Sequence, residues 1–296
     1  MQDYEKVFDG KIHEVRIYDS VSEAISETGR AESEWPHLAS EMQGKCVRAG
    51  FVGRAFANMA EARVAADAIW PAGLKVMERF TNDLAGADLP KPVSRKRKMK
   101  WDESTGDEID NDRLRGGQDF WRRATRQQLH GPSVITLVAV QSASASVDAK
   151  DILWRGAAAV ALTKILEEAG YRVDLWGAMV SRGSFADNTS LLIGTHLKQP
   201  NEPINESALV NACSGWFYRT IGFSSYLASP KRRASDYGLG TPFYPKPELL
   251  REISSDASAH LLTGVFNYED TLARAREILA AIGTPNHASE LQESCV

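Results

Sequence analysis

Residues 135–177 read ITLVAVQSASASVDAKDILWRGAAAVALTKILEEAGYRVDLWG and contain a βαβ unit in nearly complete form. Val134 to Val140 is a continuous apolar, β-branched run, the pattern of a parallel strand buried on both faces. Small hydroxyl residues follow it. From about Asp148 to Glu168 the spacing predicts a helix that is apolar on several sides, through Ile152, Leu153, Val160, Leu162, Ile165 and Leu166. Gly170 ends that helix as a left-handed cap, and Tyr171 to Met179 returns as a second strand. The serine-rich loop therefore falls at the carboxyl end of a strand, where α/β sheets place their ligands.

Outward from this unit, strands and helices keep alternating. Ser190 to His196 is a further short strand, a helix starts near Ile204, and the proline- and glycine-rich stretch from Ser235 is loop. His260 to Phe266 is a late strand. Asn267 caps the helix after it, which carries Leu272, Ala275, Ile278, Leu279 and Ile282 on one face and stops at Gly283 and Pro285. The alternation predicts an α/β domain over 130–285, with a mostly parallel sheet flanked by helices, and a tail over 286–296. Residues 1–90 are Ala-rich and are expected to form a helical N-terminal domain. Pro36 and Pro71 suit first-turn positions there, and Asn58 suits the cap of MAEARVAADAIW. Residues 91–129 are expected as a charged linker or hairpin.

Composition narrows the function classes. The 296 residues include 35 basic and 39 acidic side chains, so no global charge recruits nucleic acid or an anionic membrane. Cys46, Cys213 and Cys295 fit neither a disulfide framework nor a metal-ligand spacing, which suits a reducing compartment and makes the cytoplasm the expected location. MQDYEKVFDG lacks the apolar core of a secretory signal, and no run reaches the roughly 18 apolar residues of a membrane span. A soluble protein without a membrane partner is expected. The six histidines stand apart, and no G-x-G-x-x-G, G-x-x-x-x-G-K-[ST] or G-x-S-x-G occurs. Enzymatic status stays open.

The strand ending in a Ser-x-Ser loop, the helix RGAAAVALTKILEEAG and the strand YRVDLWG resemble the first half of a von Willebrand factor A-type domain, notably the intracellular bacterial branch near cobalt-chelatase subunits. The resemblance spans roughly 130–285. In that family the loop reads D-x-S-x-S, and its acid and two hydroxyls help to hold a divalent metal, with a threonine and an aspartate from two later loops. The resemblance implies Ser142 and Ser144 as hydroxyl ligands, Asp236 in ASDYG as the later carboxylate, and Thr189 or Thr195 as the threonine. Val140 stands where the first acid would be. A magnesium site needs one or two carboxylates to offset dehydration of the ion. The expectation is a degenerate metal-ion-dependent adhesion site without a cofactor, magnesium being the ion to test.

The leading functional expectation is non-enzymatic protein–protein contact or assembly through Ser142, Ser144 and Ser146. The competing structural reading is a hydroxyl-rich turn in which these serines cap backbone groups and the helix start. Two other functions stand beside contact. A nucleic-acid-associated protein would use Arg95, Lys96, Arg97, Lys98 and Lys100, with Lys231, Arg232 and Arg233 beside the aromatic run Trp216, Phe217, Tyr218, Phe223 and Tyr226. Against it, Asp102, Glu103, Asp107, Glu108 and Asp110 are expected to meet the basic run across a turn at Gly106, and the aromatics to pack as core. The remaining alternative is a metal-dependent hydrolase.

Overall fold

Alternating side chains at the amino terminus build a hairpin. The computed structural model describes residues 1–8, 11–34, 49–86, 89, 99–106, 108–124, 134–182, 189–227, 241–242, 247–254, 259–264 and 267–283. It opens with β1 (Gln2–Phe8) antiparallel to β2 (Lys11–Tyr18). β2 buries Val15 and Ile17 in one cluster and Tyr18 in another, as the two-residue period of a strand requires. Then come α1 (Val21–Glu34), α2 (Ala49–Val52), α3 (Met59–Ala66) and α4 (Pro71–Leu84). Asn58 caps α3 by accepting from the Glu61 N–H at 2.9 Å, and Pro71 occupies the first turn of α4. Pro36 lies outside the described residues.

A separate helical domain over 1–90 is not what forms. Met1–Pro90 and Val134–Val296 make one compact unit, because β2 pairs in parallel with the strand Thr189–Lys198 from the far half of the chain.

Lys91–Ser133 make a second unit. In it β3 (Met99–Asp102), β4 (Glu108–Ile109) and β5 (Trp121–Ala124) form an antiparallel sheet ordered β3-β5-β4, with α5 (Asn111–Arg115) between β4 and β5 in the chain. Among the described residues this order departs from the expected meeting of basic and acidic runs across Gly106, since β4 pairs with β5 and not with β3. β3 pairs with β5, so Lys100 stands opposite Arg123 and Trp101 opposite Arg122. Asp102 instead closes an Asx turn, accepting from the Ser104 and Thr105 N–H groups at 2.8 and 3.1 Å. Arg95, Lys96, Arg97 and Lys98 lie outside the described residues.

The larger unit continues with β6 (Val134–Val140), α6 (Ala149–Glu168), β7 (Arg172–Arg182) and β8 (Thr189–Lys198). A helical run follows, made of α7 (Glu206–Ala212), α8 (Gly215–Phe217), a π-helical turn (Tyr218–Gly222) and α9 (Phe223–Leu227). β9 (Thr241–Pro242), α10 (Pro247–Leu250), β10 (His260–Leu262) and α11 (Tyr268–Gly283) come last. The sheet runs β1-β2-β8-β7-β6-β10, and β9 pairs with the end of β7. β6 is parallel to both β7 and β10, whereas β8 returns antiparallel to β7 through a connection too short for a crossover. The result is a mixed sheet with a parallel centre. The chain leaves β6 for β7 on one side and returns as β10 on the other, so the carboxyl end of β6 is a topological switch point.

α6 is apolar on several sides because it is central. Its Leu162 and Leu166 share a cluster with Leu137 and Leu175 of the sheet, Phe80 of α4, Leu209 of α7 and Leu279 of α11. On the opposite face Val138, Val140, Trp176, Ala178 and Leu192 pack with Leu249, Leu250 and Ile253. A Cβ at Gly156 would sit 1.9 Å from the Cys213 carbonyl oxygen, so only glycine lets α6 approach the end of α7 this closely. No helix among the described residues is long and apolar enough to cross a membrane.

Candidate functional site

The chain leaves β6 under tight hydrogen-bond control. The Gln141 N–H donates to the Ala178 carbonyl at 2.8 Å, which extends the ladder with β7. The next acceptor is a side chain: Ser142 Oγ accepts from the Val180 N–H. Ser142 is 6% exposed, and its hydroxyl is engaged inside the fold. Val140 is buried in the apolar cluster of the opposite face.

Beyond Ser142 the loop turns outward. Ser144, Ala145 and Ser146 are exposed. The Val147 N–H closes a turn on the Ser144 carbonyl at 3.0 Å, and the two exposed hydroxyls lie 3.1 Å apart with Ser146 Oγ donating. Asp148 holds the N-cap position of α6, and its side chain makes no capping bond. Asp151, in the first turn, has its pKa raised by burial and then by Asp148.

Two guanidiniums, each 1% exposed, hold this loop from the inside. Arg155 Nη2 donates to the Gln141 and Ser142 carbonyls at 3.4 and 3.3 Å. Arg219 Nη2 donates to the Ser144 carbonyl at 3.2 Å and to the Val147 carbonyl, and its Nη1 donates to the Phe51 carbonyl. Burial pushes the Arg219 pKa down, against the opposing pull of Tyr218 and Asp148. The Phe51 ring, 4.3 Å from its guanidinium carbon, adds a cation–π contact. Around this pair the Gln141 amide donates to the Ala212 carbonyl, and the Ala143 N–H donates to the Tyr218 hydroxyl at 3.4 Å. Gly222 seats the π-helical turn on β7, since a Cβ there would meet Met179 Sδ at 2.5 Å.

Ser142, Met179, Ser181, Leu191, Tyr218 and Phe223 line a cleft of about 250 Å³ that includes the solvent at its mouth. Among the described residues, the serine loop does not fit the divalent ion that the resemblance implies. Position 140 is a buried valine, the Ser142 oxygen already accepts an N–H, and the loop's carbonyls face a guanidinium whose charge would repel a cation. Residues 263–266, which follow β10 in the chain, read TGVF and contain no carboxylate. Among the described residues no group of three or more His, Cys, Asp or Glu side chains is placed to hold a metal.

The other residues singled out from the sequence fall elsewhere. Asp236, Lys231, Arg232 and Arg233 lie outside the described residues. Thr195 is half-buried and pairs with Tyr18 and Gly177, and Thr189 pairs with Ile12. Trp216, Phe217, Tyr218 and Phe223 are buried core. Arg155 escaped the sequence reading, although a single arginine inside ILWRGAAAV, on a helix buried nearly all round, is the mark of an internal cation. His196 is also less isolated than its spacing suggests. Its Nε2 lies 2.6 Å from Asp174, which accepts from Trp176 Nε1 as well, and the imidazole stacks on that indole at 4.0 Å.

Residues 9–286 match the family described as Domain of unknown function (DUF7192). No curated protein and no solved structure matches the chain. Because the family match takes in everything from β2 through α11, the serine loop and both of its arginines included, the chain belongs to the DUF7192 family.

Proposed function

We propose that the protein works by non-enzymatic contact with a protein partner, through the exposed turn at Ser144 and Ser146, in a von Willebrand A-like domain whose loop needs no metal ion. The observation that carries this reading is the pair of buried guanidiniums, from which four carbonyls of residues 141–147 accept. Charge-assisted bonds of this kind contribute about 1.5–3 kcal/mol each, enough to keep the loop in one conformation. A loop set in advance loses less entropy when a partner arrives. The position at the switch point and the parallel β6–α6–β7 crossover support the A-like assignment. Ser142 takes no direct part, and the contact falls to Ser144, Ser146 and the backbone between them. The cytoplasm is the proposed location, where Cys213, buried and with its thiol pKa pushed up to about 12, stays reduced and inert.

Capture from native extract, read by cross-linking mass spectrometry, compares the wild-type chain with Ser144→Arg combined with Ser146→Glu. The doubly changed chain keeps its melting temperature, as exposed positions allow, and loses the partners cross-linked through residues 141–148. Equal recovery of those partners by both chains sinks the proposal.

A further inference from the structure

We propose, independently of the serine loop, that Phe56, Trp70 and Trp216 form a binding pocket for a trimethylammonium group, with the Arg54 side chain as its internal occupant. The Arg54 guanidinium carbon lies over all three rings, 5.2 Å from the centre of Phe56, 5.4 Å from Trp216 and 5.9 Å from Trp70. At such distances a cation feels the negative face of each ring. The rings hold one another in place. Trp216 lies 5.1 Å from Phe56 and meets Trp70 edge-on at 6.5 Å. A Cβ at Gly73 would sit 2.4 Å from the Trp70 ring, so this indole rests where a side chain would otherwise be. Phe56 and Trp216 are buried and Trp70 is half-buried, which gives the pocket a floor in the core and a wall at the surface.

The internal occupant fits these walls poorly. Arg54 Nη1 is buried and makes no hydrogen bond, and the same is true of Trp216 Nε1. Burial pushes the Arg54 pKa down, against the opposing pull of Glu61. Walls that offer π faces and leave buried donors without acceptors favour a cation that carries no N–H, because each unmet donor costs free energy. A trimethylammonium group is such a cation, whereas an unmethylated ammonium brings N–H donors that would go unmet in turn. The size agrees as well. A methyl carbon touches a ring at about 3.5–4.0 Å and is bonded about 1.5 Å from its nitrogen, so the nitrogen stands about 5 Å from each ring, much as the guanidinium carbon does. Arg54 can withdraw without opening the core. It is half-buried between the exposed Gly53 and Ala55, on the connection from α2 to α3, and Gly53 turns the chain there with a φ of 89°.

Calorimetric titration of the full-length chain with choline, a trimethyllysine peptide and the same peptide unmethylated tests this. The wild type binds choline and the trimethyllysine peptide, each about tenfold more tightly than the unmethylated peptide. Arg54→Ala removes the competing occupant and tightens both about tenfold. Adding Trp70→Leu to Arg54→Ala takes away one wall and reverses that gain. Tighter binding of the peptide than of choline marks a methylated protein as the source of the group, and equal binding marks a small molecule. Arg54→Ala lies on a surface connection and keeps the test valid where Trp70→Leu disturbs folding. No binding by the wild type overturns the proposal, as does equal affinity for the two peptides, or an Arg54→Ala chain that binds no more tightly than wild type.

Discussion

Arg219 Nη2 donates to the Ser144 carbonyl at 3.2 Å, so a residue of the π-helical turn fixes a loop 75 positions earlier in the chain. The same side chain also reaches Val147 and Phe51, tying the serine loop and α2 to one buried charge. Such a charge is stable in the interior only while its carbonyl partners replace the water it lost.

Arg219→Ala should therefore lower the unfolding free energy by about 3 kcal/mol, since it removes the buried donor shared by three carbonyls and opens a cavity. Urea unfolding measures this. Arg219→Lys should recover only part of the loss, because an ammonium lacks the planar fork that spans three acceptors. A loss below about 1 kcal/mol in the alanine variant would mean that the loop is held by something else.

Val140→Asp would place an acid where the resembled family has one. In this fold the new side chain enters the apolar cluster of Val138, Ala178 and Leu249. The expected result is a loss of several kcal/mol, visible as a large drop in Tm, with no recovery in millimolar magnesium. Recovery of wild-type Tm by magnesium would show that the loop can form an ion site.

The centre of the fold was legible in the sequence for local reasons. The β-branched run of β6, Gly170 with its positive φ of 97° and the Asn267 side chain that accepts from the Asp270 N–H all signal themselves within a few residues. The amino-terminal hairpin was not read, because β1 is an exposed strand of mixed polarity and its neighbours are Ala-rich helices. The Asp9-Gly10 pair between two alternating segments was the available signal. The arginine frame was illegible for a different reason. Its acceptors are backbone carbonyls, which no residue type announces, and they come from segments far apart in the chain. The β3-β5-β4 order was equally hidden, since it pairs the basic strand with a partner beyond the acids that follow it.

Asp151 offers a pH test. Burial and Asp148 raise its folded pKa above the ordinary 3.8. A raised acid contributes stability that is fully present below the unfolded pKa and is lost as pH rises through the folded one. Asp151→Asn should then raise Tm at neutral pH, by on the order of 1 °C because the group is only partly buried and solvent screens it. Melting curves across pH should show the two proteins converging below 3.8. A neutral-pH Tm lower than wild type would contradict the raised pKa.

The central claim is that protein guanidiniums, and no metal ion, set the loop that meets the partner. Hydrogen–deuterium exchange of the peptide spanning Gln141 to Asp148 reads this directly, in wild type with EDTA, in wild type with millimolar magnesium, and in Arg219→Ala. The account predicts the same slow exchange in both wild-type conditions and fast exchange in the variant, with the β6 peptide still protected. Protection of the loop that appears only with magnesium would contradict it.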